Sequence, residues 1–118
     1  MTVLLVIIFG GAGAVVRFLV DAVVQSRRLG EFPLGTLVVN LTGAFALGLL
    51  VGLGPSHRAT TLLGTAALGS YTTFSTWMLE THRPAQDGER ALALANVLVS
   101  LIAGLASVAL GRALGKAL

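Results

Sequence analysis

The sequence predicts an all-α membrane protein of four transmembrane helices, the third broken near its middle, and three observations carry that prediction. Over 118 residues, 55% are hydrophobic and only 11% charged, with a mean hydropathy of +0.90, which is more apolar surface than a soluble domain of this length hides from water. The apolar residues fall into four runs, each close to the ~20 residues a helix needs to cross a bilayer. One run carries a glycine and a string of hydroxyl side chains at its centre, where a helix in lipid has least use for them. The chain reads as one domain over residues 1–118.

Residues 3–24 form the first run. It lacks a basic segment before it and a small-residue cleavage site after it, so it is expected to stay in the mature protein. Arg17 lies past its middle, where insertion scales put the cost of an arginine at about 2.5–3.5 kcal/mol. Two readings stand open: pairing with Asp21 one turn on, helped by snorkelling, or a cation at the floor of a water-filled vestibule that concentrates anions. A loop over 25–33 holds Arg27, Arg28 and Gly30, and Pro33 is placed to open the second helix.

The second run, residues 34–54, sets Asn40 among Val38, Val39 and Leu41, where its carboxamide needs hydrogen-bonding partners. After a tight turn over 55–59 comes the third run, residues 60–79. Its centre reads Leu68, Gly69, Ser70, Tyr71, Thr72, Thr73, Phe74, Ser75, Thr76, Trp77. Gly69 and Ser70 are poor helix residues, and a break there leaves carbonyls without donors in a medium without water. Such carbonyls at the midplane commonly face a cation, so a buried sodium ion is one reading. The other is an intact helix whose hydroxyls bond back to the preceding turn. Phe74 and Trp77 share a face, either as a packing pair or as ring edges, electropositive enough to receive an anion and weak enough to release it.

Residues 80–90 gather Glu80, Arg83, Pro84, Asp87, Gly88, Glu89 and Arg90 and read as a solvated linker. In the fourth run, residues 91–111, Asn96 and Ser100 fall one turn apart and continue onto Gly104. That stripe is either a set of interhelical hydrogen bonds or a polar ion track. Small residues recur at packing distance, as Gly10 with Ala14, Ala44 with Gly48 and Gly52, and Ser100 with Gly104, Ser107 and Gly111, and predict close helix contacts.

Charge and composition exclude several function classes. The net charge is +3, but eight basic residues scattered singly make no basic face for nucleic acid. With no cysteine there is no disulfide framework or thiolate chemistry. His57 and His82 lie outside the runs, away from any nucleophile and base arrangement, which argues against an enzyme. Arg58, Arg112 and Lys116 fall on one side of the four spans and Arg27, Arg28, Arg83 and Arg90 on the other, three against four. Such a balance fits insertion in both orientations, hence antiparallel dimers, or a single orientation set by a slight bias.

Four segments together resemble the Fluc family, the CrcB-type fluoride channels: residues 10–17 ending in Arg17, residues 33–40 ending in Asn40 with Gly43, the Thr72, Thr73, Phe74, Ser75, Thr76 core, and Asn96 with Ser100. The resemblance implies a fluoride-selective, multi-pass channel of the cell membrane, a dual-topology dimer with two pores lined by both subunits. It places Asn40 and Phe74 against permeating fluoride and Ser100 on a polar track. Trp77, Thr73, Ser75, Thr76 and Asn96 complete the expected pore lining, with Arg17 near the vestibule. The backbone oxygens of Gly69 and Thr72 are expected to hold a structural sodium at the dimer centre. Its partners are then fluoride, the lipid bilayer and a second chain, either a copy or a homologue, with no nucleic acid. The sequence departs from the family pattern at Trp77, where a second pore phenylalanine is expected, at Ser70, where a second glycine is common, and at Asn96, where some members have tyrosine. Two rival readings are a purely structural subunit and a proton-coupled exporter of the small multidrug resistance type. The exporter needs a carboxylate deep in the first span, and Asp21, near its end, is the only acidic residue in a span interior.

Overall fold

The computed structural model describes residues 1–27 and 32–118, so Arg28 and Gly30 of the expected first loop lie outside the described residues. The described residues form helices and no strand: α1 (Thr2–Arg27), α2 (Leu34–Leu53), α3 (residues 57–71), α4 (Ser75–Gln86) and α5 (Arg90–Ala117). Three of them, α1, α2 and α5, are long and apolar enough to cross a membrane. A helix of 28 residues such as α5 is about 42 Å long, and the long axis of the fold is 48 Å.

Local chemistry sets the helix ends. Pro33 precedes α2 with φ −76°, and having no N–H it leaves no donor unsatisfied at that end. Gly54 closes α2 in the left-handed region, φ 63°, its N–H donating to the Val51 carbonyl at 3.2 Å. The chain turns at once, and the Ser56 hydroxyl caps α3 by accepting the Ala59 N–H at 3.3 Å. The turn is thus shorter than the expected 55–59, because Gly54 and Ser56 together stop one helix and start the next. Within α3, Thr60–Leu68 is wound as a π-helix between the short α-helical stretches His57–Ala59 and Gly69–Tyr71.

Two expectations are displaced. Gly69 and Ser70, where the break is expected, are helical, Gly69 at φ −62°, ψ −35°. The non-helical residues lie between Tyr71 and Ser75, with Thr72 extended at ψ 158°. The expected linker over 80–90 is also mostly helix, since α4 runs to Gln86 with Pro84 inside its last turn. Leu79, Glu80, Arg83 and Gln86 are good helix formers.

Glycines hold the helices together. On α2, a Cβ at Gly48 would overlap the Val108 carbonyl and one at Gly52 the Arg112 carbonyl; on α5, Gly111 meets the Phe45 carbonyl and Gly115 that of Leu49. The two backbones therefore touch along a reciprocal seam that no larger residue permits. Gly13 of α1 fits the same way against the backbone at Ala67 of α3. Gly104 has no neighbour within 4 Å and takes no part.

What is buried is small or polar, and what is exposed is apolar. Thr36, Thr73 and Asn96 are buried beside Val39, Ala66 and Ala93, whereas Phe18, Ile102 and Leu105 stand exposed. A chain built this way belongs in lipid, where association comes from close backbone packing and interior hydrogen bonds.

Candidate functional site

The interruption between α3 and α4 is held by a side chain from α2. The Asn40 carboxamide grips the Thr73 backbone at both ends: its Nδ2 donates to the Thr73 carbonyl and its Oδ1 accepts the Thr73 N–H, each at 2.9 Å. In a continuous helix that N–H would bond to the Gly69 carbonyl. Here Asn40 has taken it. The Thr73 hydroxyl then caps α4, accepting the Thr76 N–H at 3.3 Å and donating to the Thr76 hydroxyl at 3.2 Å. Thr72 still belongs to the preceding turn, its N–H and hydroxyl both donating to the Leu68 carbonyl, at 3.0 and 3.1 Å.

Further along α2, the Thr42 and Tyr71 hydroxyls are 2.7 Å apart, and a Cβ on Gly43 would overlap the Thr72 methyl. Residues 40–43 of α2 therefore template residues 71–73. The sequence signals Asn40 and Gly43 but not the Thr42 contact, since a lone threonine on an apolar helix carries no signal of its partner.

Past the interruption the two aromatic rings meet edge to face, centroids 5.6 Å apart and planes at 68°. Phe74 is 70% exposed. Trp77 is anchored, its indole N–H donating to the Asn96 backbone carbonyl at 3.4 Å. The Asn96 side chain, 1% exposed, donates from Nδ2 to the Thr81 hydroxyl at 2.8 Å, and that hydroxyl donates on to the Trp77 carbonyl at 2.9 Å. Asn96 thus sits behind Trp77. Asn40, Gly69, Thr72, Thr73, Phe74 and Trp77 line a common open groove of about 360 Å³, together with Gly64 and Leu68.

A second cavity, about 160 Å³, lies on the other side of Thr73 and is lined by Arg17, Phe18, Asp21, Thr36, Val39, Thr73 and Thr76. Arg17 is half-buried here. Asp21 Oδ1 is buried without a hydrogen-bond partner among the described residues, packed so tightly on Gly35 that any Cβ there would overlap it. That oxygen does not answer the Arg17 guanidinium. Thr36, buried in this cavity, escaped the sequence reading because a threonine in the first turn of a helix looks like a terminal residue. Thr73 is shared by both cavities. Ser75 is exposed and Ser100 half-buried, and neither hydroxyl makes a hydrogen bond among the described residues.

A family model described as "CrcB-like protein, Camphor Resistance (CrcB)" matches residues 4–112. The chain belongs to the CrcB family. Relatives of this CrcB chain include a protein named "Fluoride-specific ion channel FluC 2" from Mycolicibacterium paratuberculosis, 51% identical over 111 residues that cover 94% of this chain and 91% of the relative. A "Fluoride-specific ion channel FluC 2" from Mycobacterium bovis is 52% identical over 107 residues, 91% of this chain and 85% of the relative. One named "Fluoride-specific ion channel FluC 1" from Frankia casuarinae is 42% identical over 126 positions, 99% and 98% of the two chains. In this CrcB chain the Gly69 carbonyl loses its helical donor to Asn40, and the Thr72 carbonyl follows an extended ψ. Neutral backbone oxygens released in this way are the donor type a sodium ion takes at helix breaks.

Proposed function

We propose that this chain is a passive, fluoride-selective channel that exports fluoride across the cell membrane as an antiparallel, dual-topology dimer. The observation that carries this reading is the groove at the interrupted third helix, where the Asn40 amide, the Thr73 backbone and the Phe74 and Trp77 rings converge. The family names of its relatives point the same way. Residues 57–86 then act as one membrane segment broken at its midplane, the fourth span beside α1, α2 and α5.

Fluoride is small and strongly hydrated, so a pore must replace its water with hydrogen-bond donors. The Asn40 Nδ2 has one N–H left after serving the Thr73 carbonyl. The hydroxyls of Ser75, Thr76 and Ser100 are further donors, and Phe74 and Trp77 offer electropositive ring edges without a full charge. Asn96 contributes by fixing Trp77. The Trp77 N–H is spent on Asn96, so its station holds the anion through the ring edge. Arg17 concentrates anions in the cavity that adjoins Thr73. Direction comes from weak-acid trapping: hydrogen fluoride diffuses in, dissociates in the less acidic cytoplasm and leaves fluoride above its electrochemical equilibrium, from which a passive pore releases it.

The groove is open and Phe74 on its wall is exposed, which supports closure by a second chain, either a copy or a homologue. Gly69 and Thr72 would offer one backbone oxygen each, two per chain, to a sodium ion at the centre of that dimer, and the ion would offset the carbonyl dipoles there.

Fluoride efflux from liposomes, followed with a fluoride electrode beside a chloride-loaded control, tests the reading. Rapid fluoride release without chloride release is expected. Silence from a well-folded dimer overturns the homodimeric form, and co-reconstitution with a homologous chain then decides the heterodimer. The exporter alternative draws on Asp21, which lines the Arg17 cavity. It requires that flux follow an imposed proton gradient, whereas the channel needs none.

A further inference from the structure

A helix break needs something to take the hydrogen bonds that the helix would otherwise make. At Thr73 the competition is between two acceptors for one N–H: the Gly69 carbonyl, four residues back, and the Asn40 Oδ1, on another helix. Asn40 wins with a 2.9 Å bond, and its Nδ2 secures the Thr73 carbonyl at the same distance. The residue before, Thr72, remains bonded to Leu68, so the diversion begins at the Gly69 carbonyl and nowhere earlier. Gly43, three residues along α2, leaves room for the Thr72 side chain beside it.

We propose that Asn40 is a positioning residue for a cation: by drawing the Thr73 N–H away, its carboxamide leaves the Gly69 carbonyl oxygen available as a sodium ligand. The inference rests on the sodium reading of Gly69 and Thr72 and adds to it the side chain that makes the oxygen free. The two ends of the carboxamide have separate tasks. Oδ1 holds the N–H and sets the cation site, and Nδ2 holds the Thr73 carbonyl and has one N–H to spare for an anion. A carboxylate in its place keeps the acceptor and loses the donor, so the two tasks are separable by mutation.

The test measures melting temperature of the full-length purified protein in sodium and in a bulky organic cation, N-methylglucamine, with fluoride efflux recorded in parallel. The wild-type chain is expected to melt roughly 5 °C higher in sodium, a shift of the size that saturating ligand gives a small domain. In Asn40→Ala the Thr73 N–H is free to return to Gly69, and the sodium shift disappears. In Asn40→Asp the acceptor survives, so the shift is retained while fluoride flux is lost to charge repulsion. A full sodium shift in Asn40→Ala, no shift in the wild type, or an Asn40→Asp variant as insensitive to sodium as the alanine variant would each overturn the proposal. Should Asn40→Ala fail to fold, the aspartate variant and the wild type still decide it. A wild type that gains stability in sodium but releases no fluoride, alone or co-reconstituted with a homologous chain, sinks the channel reading and leaves this one standing.

Discussion

Thr73 carries more of the site than its size suggests. Its backbone is clasped by Asn40, its hydroxyl caps α4, and it forms the wall shared by the groove and the Arg17 cavity. Replacing it by valine keeps the shape and the clasp but deletes the cap. We expect Thr73→Val to lower stability by about 1 kcal/mol, the usual value of an N-cap hydroxyl, as measured by thermal unfolding in detergent, with fluoride flux reduced as the first turn of α4 loosens. Trp77 offers a second handle, because it is the only tryptophan in the chain and its ring faces the proposed ion station. Fluoride titration is expected to change its emission and chloride to leave it unchanged. An equal response to both anions would remove Trp77 from the selective part of the pore. At this scale the polar residues were legible in the sequence, since Asn40, Asn96 and the Thr72–Thr76 hydroxyls have no reason to lie in an apolar run unless something binds them. Their partners were not legible. Thr81 looked like the edge of a linker, and nothing local to it announces a bond from Asn96, 15 residues away.

Between elements, the decisive contact is the glycine seam of α2 and α5. Gly111→Leu forces a side chain into the Phe45 carbonyl, and overpacking of this kind costs about 1–3 kcal/mol or more. Gly104→Ala meets nothing within 4 Å and should be neutral or slightly stabilising, by up to about 1 kcal/mol, through helix propensity. Thermal unfolding of both variants checks the contrast, and equal loss in the two would mean that the seam is not what holds these helices. Spacing alone exposed Gly48, Gly52 and Gly111 as a packing stripe, yet it equally suggested Gly104 and passed over Gly13 and Gly115. A stripe says that a helix can be approached closely, and only the partner decides where. The same reason explains the displaced interruption. Local propensity favoured Gly69 and Ser70, but the helix ends where Asn40 reaches across to compete for a backbone N–H, three residues later.

For the molecule as a whole, the near balance of basic residues on the two sides makes orientation an open question at insertion. The absence of native cysteine allows a direct answer. A single cysteine at the exposed Gln86, the last residue of the proposed broken span, is expected to be labelled by a membrane-impermeant reagent in about half of the molecules in intact cells if both orientations occur equally. Labelling of all or none would exclude an antiparallel dimer of two copies and leave only pairing with a homologous chain. The inverted arrangement of the fold, with polar and small residues within and apolar residues without, was foreseeable from composition. Which apolar surfaces would lie against the second chain proposed above was not, since a lipid-facing surface is apolar too.

The clasp at Thr73 also bears on how the chain is assembled as it is made. Asn40 lies in α2, so it is made before residues 57–86 leave the ribosome. The interruption can be set as soon as α3 docks, before α5 exists. Trp77 and Thr81 must wait for Asn96, the last of these residues to be synthesised, so the backbone of the site takes shape first and its aromatic wall is fixed only when the final helix arrives.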